Sequence, residues 1–181
     1  MSPAEAAVAA LLDALGVDRG DPELRDTPAR VEALWRENLI GGYGVDPAVI
    51  LADRLPDPSG AIVTLTDLPI QGVCPHHLTP FFGVAHIAYE PNGAIVGLGV
   101  LERLVRALSR RLILQETLCG QVADALTEHL GARGAACAIE ARHLCLILRG
   151  GEPHDARVCT RVGRGTLRDR SDILPPVGGR R

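Results

Sequence analysis

VLERLVRALSRRLILQETLCGQVADALTEHL, residues 100–130, decides how the rest of the chain is read. Leu101, Leu104, Val105 and Leu108 recur at helical spacing, and Leu118, Val122 and Leu126 repeat the pattern after Gln115. Two successive helices are therefore expected, closed by the break at Gly131–Gly134. On either side the period changes to that of strands. Upstream, AIVTLTDLPIQGV (61–73) reads as a strand, and FFGVAHIAYEPNGAIVGLG (81–99) reads as a hairpin around Pro91-Asn92-Gly93. Downstream, AACAIEARHLCLIL (135–148) reads as a strand with DARVCTRV (155–162) as its hairpin partner. The expected class is α+β: an antiparallel four-stranded sheet with a helical pair on one side. Such a sheet does not close on itself, so its edges need cover or pairing, including pairing with other subunits.

An N-terminal helical extension precedes this body. Ser2-Pro3-Ala4-Glu5 is a capping box with proline at the first helical position, followed by Val8, Leu11, Leu12 and Leu15 on one face. Thr27-Pro28 repeats the cap-plus-proline start for a second helix, with Val31, Leu34 and Trp35 on its apolar side. A Gly/Pro/Asp-rich loop (41–60) follows, with a short helical turn near Pro47–Ala52. The end, RGTLRDRSDILPPVGGRR, is polar and rich in proline and glycine, which predicts mobility there. The expected division is an extension over 1–58, a main domain over 59–170 and a flexible tail over 171–181.

Bulk properties exclude several classes of function. Apolar residues make up 46% of the 181 and charged residues 23%, an ordinary globular composition. With a net charge of −3, no long basic run and only five aromatics (Trp35, Tyr43, Phe81, Phe82, Tyr89), neither a phosphate-backbone groove nor a stacking ladder is available, so no nucleic-acid partner is expected. No run approaches a membrane span, and the N-terminal stretch lacks a positive leader and carries Glu5 and Asp13. Five scattered cysteines then suit metal binding or packing in a reducing cytoplasm better than a disulfide framework. All 19 basic residues are arginine.

Chemistry concentrates in two places. In GVCPHHLTPFFG (72–83), Cys74 and His77 stand three apart, a spacing that lets one turn aim both at an ion. The adjacent His76 points elsewhere if the backbone is extended. His143 and Cys145 stand two apart in the expected strand 135–148 and so share a face in an otherwise aliphatic run. Burying an imidazole there without a partner is costly, which favours a metal site. Two versions compete. Either Cys74, His77, His143 and Cys145 close a structural tetrahedron, or three of them bind and leave a position for water. Spacing does not choose between them.

The assembled pieces resemble the GTP cyclohydrolase I family, zinc enzymes of the tunnelling fold (T-fold). The resemblance runs from Asp26 onward through DTPARV (26–31), CPHHLTPFFGVAHIAYEPNG (74–93), VGL…R (96–103), QE (115–116) and HLC…RG (143–150). It implies that Cys74, His77 and Cys145 hold Zn2+ with water completing the shell, and that His76 and His143 act as acid–base groups. It implies that Glu116, with Gln115 beside it, receives the guanine N1–H and 2-amino edge, while Arg30, Arg103 and Arg149 grip phosphate. The implied reaction opens the guanine imidazole ring at C8, releases formate and yields 7,8-dihydroneopterin triphosphate. Homo-oligomers, usually decamers with active sites at subunit interfaces, are implied as well.

Departures cluster at the phosphate grip. Ala33 and Val100 stand where the family typically has lysine, and Gly99 where it has serine; Pro75 replaces the acidic residue that usually follows the first zinc cysteine. Arginine would have kept the charge, so avoidance of lysine does not explain alanine and valine. Two further readings are thereby kept: a divergent paralogue hydrolysing a less phosphorylated purine or a pterin, and a non-catalytic binding protein clamped by zinc.

Overall fold

The computed structural model describes residues 1–148, 155–170 and 172–178. The chain divides into two compact units, Met1–Gly41 and Gly42–Arg181. In the first, α1 (Pro3–Ala14) begins with the capping box: Glu5 N–H donates to Ser2 Oγ at 3.1 Å and Ser2 N–H to the Glu5 carboxylate at 2.7 Å. The Ser2 hydroxyl also donates to Glu32 of α2 (Thr27–Leu34), which runs on into a π-helical turn at Trp35–Leu39. Asp26, not Thr27, is the N-cap of α2, and its side chain makes no capping bond. The apolar face expected on α1 is only partly used. Ala9 is buried while Leu11 and Leu15 are exposed.

The second unit contains α3 (Pro47–Ile50), β1 (Leu55–Pro56), β2 (Val63–Val73), β3 (Pro80–Glu90), β4 (Ala94–Ile95), α4 (Leu98–Ser109), α5 (Gln115–Glu128), β5 (Gly134–His143), α6 (Leu144–Ile147) and β6 (Val158–Gly165). Four strands form one antiparallel sheet in the order β2-β3-β5-β6, and β1 pairs with β4 apart from it. This is the α+β arrangement that the sequence predicts, and it agrees with the tunnelling fold that the resemblance implies, with a helical pair joining the second and third strands of the sheet.

Strand alternation sorts the two faces. Ile87, Tyr89, Cys137 and Ile139 enter one core with Leu101, Leu104, Leu118, Val122 and Leu126 from the helices. Each fully buried leucine there contributes about 1.5–3 kcal/mol of transfer free energy. The intervening alanines, Ala88, Ala136 and Ala138, lie on the opposite face beneath Leu167 and Leu174. Residues 172–178, part of the stretch expected to be a tail, thus contribute Leu174 to this smaller core, with Ile173 and Val177 packed on it. In β2 a bulge at Leu65–Leu68 places Asp67 at φ 58°, and its N–H donates to Nδ1 of the buried His86 at 3.1 Å.

Three expectations are corrected. The turn at Pro91-Asn92-Gly93 does not make a hairpin with β3, because β3 is already paired on both edges, by β2 and β5. Ala94–Ile95 pairs with Leu55–Pro56 instead, and Gly97 caps α4, so the apolar run past Ile95 is helical. The strand expected through residue 148 stops at His143, where the chain turns into α6. The last strand lies three residues beyond its expected span, in a register pairing Gly134 with Gly165 at φ 54°, a left-handed conformation that glycine adopts without steric cost.

The packing between β3 and β5 leaves no room for a side chain at Gly83. A Cβ there would press on the Glu140 carbonyl oxygen and sit 2.6 Å from Ala141 Cα. Gly83→Ala is expected to destabilise the protein by about 1–3 kcal/mol, read as a lowered midpoint in urea. An unchanged midpoint would contradict this close approach.

Candidate active site

One end of the sheet collects residues from four parts of the chain. β2 and β3 are the arms of a hairpin whose last pair is Val73 and Pro80, so residues 74–79 are its loop. The loop closes on itself: Cys74 N–H donates to the Thr79 carbonyl at 2.9 Å and Leu78 N–H to the Cys74 carbonyl at 2.9 Å. Leu78 takes φ 54° to complete the turn. Because this segment is a turn and not extended, Cys74 and His76 both line one cleft.

The second part arrives through β5. Its last residue, His143, is paired with Phe81 at the start of β3, beside the hairpin loop. The helical turn of α6 then brings Cys145 to the loop, so the convergence comes from a strand end and not from a shared strand face. The third part enters along residues 111–113. Val73 N–H donates to the Arg111 carbonyl at 3.1 Å and Ile113 N–H to the Val73 carbonyl at 3.0 Å. This bridge sets the first turn of α5, with Gln115 and Glu116, against the loop. Val158 at the start of β6 supplies the fourth wall.

Ligand atoms of Cys74, His77 and Cys145 all lie within 4.8 Å of one another, and Cys74 Sγ is 3.9 Å from His77 Nδ1. With metal–sulfur bonds of about 2.3 Å and metal–nitrogen bonds of about 2.0–2.1 Å, a tetrahedral edge is roughly 3.6 Å, so the spacing fits one ion. Burial and the neighbouring Cys74 thiol raise the Cys145 thiol above its ordinary range. A bound metal would supply the positive charge that favours the Cys145 thiolate. The trio does not include His143, so the four-ligand version is not the grouping observed among the described residues.

The cleft beside the trio, about 220 Å³, is lined by His76, Ile113, Leu114, Gln115, Glu116, His143, Leu146 and Val158 as well as both cysteines. His143 stacks on Phe81, ring centroids 4.8 Å apart and planes 11° from parallel. Burial lowers its pKa from the ordinary imidazole value, and the Glu116 charge acts in the opposite sense. Glu116 is exposed in the first turn of α5, where the helix dipole favours a carboxylate. Gln115 is buried.

Arg103 is exposed on α4 and outside the cleft lining. Arg30 belongs to the first unit, 3.3 Å from the Asp26 carboxylate. Arg149 lies outside the described residues. The sequence reading missed Phe81, whose signal was its place beside the cysteine–histidine loop. It also missed the apolar walls Ile113, Leu114, Leu146 and Val158, which carry no distinctive residue type.

A hairpin loop and a strand end that present two thiols and an imidazole, a group that could hold a metal, beside a cleft lined by His76, His143 and Glu116 suit the class of metal-dependent hydrolases. Comparison with known proteins narrows the class. The family model for GTP cyclohydrolase I matches residues 4–174, so the chain belongs to the GTP cyclohydrolase I family. GTP cyclohydrolase 1 of Ralstonia nicotianae is 40% identical over 179 residues, covering 97% of this chain and 86% of the relative. The Chromobacterium violaceum enzyme of that name is 42% identical over 161 residues, 89% of this chain and 78% of the relative. That of Mycobacterium ulcerans is 41% identical over 167 residues, 91% and 82%.

Metal content tests the grouping. The purified protein is expected to carry about one divalent ion per chain, and Cys145→Ser to lose most of it while unfolding cooperatively. Full metal content in Cys145→Ser, measured by plasma mass spectrometry, would remove Cys145 from the site.

Proposed function

We propose that the protein is a zinc-dependent GTP cyclohydrolase I-type hydrolase, converting GTP to formate and 7,8-dihydroneopterin triphosphate. The observation that carries this reading is the Cys74–His77–Cys145 trio opening onto a cleft that also presents His76, His143 and Glu116. The donor set suits zinc, which when bound would supply an activated water near neutral pH.

The remaining work falls to the chain's own side chains. The Glu116 carboxylate accepts from the guanine N1–H and 2-amino group, fixing the purine edge. His143 exchanges a proton with the ring nitrogens as the two C8–N bonds are hydrolysed in turn. The lowered pKa keeps the imidazole neutral, and therefore basic, at neutral pH. His76, exposed on the hairpin loop, is the second proton carrier. Two waters are consumed in releasing C8 as formate, and one is returned when the ribose carbons close the dihydropterin ring.

Arg30, Arg103 and Arg149 are proposed to hold phosphate. Only Arg103 among them is a described residue of the second unit, and it stands exposed. A second reading, hydrolysis of a less phosphorylated purine or a pterin, is favoured by Val100. It sits in the core at 6% exposed, where a lysine would bury its charge, and neighbouring Gly99 offers no side chain. Assembly into a ring through strand edges is supported by β2 and β6, the two outer strands of the sheet among the described residues. A cytoplasmic setting agrees with the free cysteines, and no described helix is long and apolar enough to cross a membrane.

Formate release by the zinc-loaded protein from guanosine, GMP, GDP and GTP separates the readings. The first predicts strong preference for GTP; the second predicts a flat or reversed series. No formate from any of them would leave only a binding role. His143→Ala is expected to lower kcat by about 10²–10⁴-fold, and an unaffected kcat would remove it from the chemistry.

A further inference from the structure

Gln115 is 1% exposed, the most deeply buried polar side chain in the cleft wall. Burying an amide is costly unless its donors and acceptor are matched, and here each is. Nε2 lies 3.2 Å from the Ile139 carbonyl, 3.0 Å from the Val158 carbonyl and 3.1 Å from Thr160 Oγ1. Two of these three partners are carbonyl oxygens and accept only. Turning the amide over would set its own carbonyl against both, so the backbones of β5 and β6 dictate its orientation.

That orientation has a consequence for His143. Gln115 Oε1 faces His143 Nε2 at 2.8 Å, and an amide oxygen only accepts. The hydrogen of this bond therefore sits on the imidazole, at Nε2, and in the neutral ring the lone pair is on Nδ1. Phe81 stacked on the ring fixes its plane, so position and tautomer are both set by neighbouring side chains.

We propose that Gln115 is a positioning residue: it locks His143 as the Nε2–H tautomer and leaves Nδ1 as the atom that exchanges protons with the substrate. This rests on the reading of His143 as an acid–base group. Its amide protons are committed to β5 and β6, so Gln115 acts on the reaction through His143, and Glu116 alone of the pair reads the guanine edge. Tautomer control of this kind also keeps Nε2 from serving as a metal ligand, consistent with His143 standing outside the cysteine–histidine trio.

The test is a double-mutant cycle with kcat and KM measured separately. Gln115→Leu is expected to lower kcat by about 10–100-fold, the usual cost of losing a partner that orients a histidine, with KM within about 3-fold. The Gln115→Leu/His143→Ala double variant is expected to match His143→Ala within about 2-fold, because the partner it serves is already gone. A tenfold rise in KM with unchanged kcat, or a double variant showing the product of both losses, would overturn the proposal. A fully active His143→Ala would refute the acid–base reading beneath it.

Gln115→Leu removes the amide donor that faces the Ile139 and Val158 carbonyls, a buried change that costs stability, so a measurement on the unaltered protein stands beside it. Long-range ¹H–¹⁵N correlation of ¹⁵N-histidine-labelled protein, with His143 assigned by its loss in His143→Gln, reports the tautomer without any turnover. A proton on Nε2 of His143 is expected. A proton on Nδ1 with Nε2 bare would contradict the lock whatever the enzyme's activity.

Discussion

The pairing of Phe81 with His143 fixes where β5 ends relative to the β2–β3 loop, and the cleft depends on it. These residues are 62 positions apart in sequence, yet the antiparallel register places the strand end beside Cys74 and His77. A slip by one residue would send His143 to the other face and carry Cys145 away from the loop. Register is held by the contrast between the faces, large aliphatic residues toward α4 and α5 and alanines toward Leu167 and Leu174. It is reinforced at Gly83, where the backbones of β3 and β5 approach too closely for a side chain. The core and the site are in this sense one construction.

Polar groups buried near the site follow the same economy. Gln115 joins α5 to β5 and β6 and spends its one remaining strong acceptor on His143. His86, also buried, is absorbed by the β2 bulge through the Asp67 amide and belongs to the sheet. The two histidines thus differ in what surrounds them, the partly buried His143 facing a cleft and the buried His86 filling a bulge. The exposed charges, by contrast, form surface ion pairs such as Arg19–Asp13 and Arg170–Asp172, which contribute little to stability.

Much of this was legible in the sequence because the helical pair 100–130 and the strands around it carry clean, opposed periodicities. The cysteine–histidine motif was legible as a candidate metal site because thiolate and imidazole are the usual zinc donors. The choice of Cys74, His77 and Cys145 came from the family resemblance and not from spacing. What escaped was what depends on partners distant in the chain. The Pro91–Gly93 turn carried a strong hairpin signal, but β3 had no free edge to offer. Leu144–Leu148 has the composition of a strand, and only the end of the β5 ladder turns it into a helix. The convergence of His143 and Cys145 was therefore anticipated for the wrong geometric reason. Gln115 was noticed beside Glu116, yet its burial depends on β6, whose span the periodicity misplaced by three residues.

The central claim is that Cys74, His77 and Cys145 bind one metal and leave His143, held by Gln115, outside its coordination. X-ray absorption at the metal edge of the zinc-loaded protein addresses this directly. The account predicts two sulfur scatterers at about 2.3 Å, one imidazole nitrogen at about 2.0–2.1 Å and one further light atom that is not imidazole. A shell of two sulfurs and two imidazoles would place His143 on the metal and contradict it.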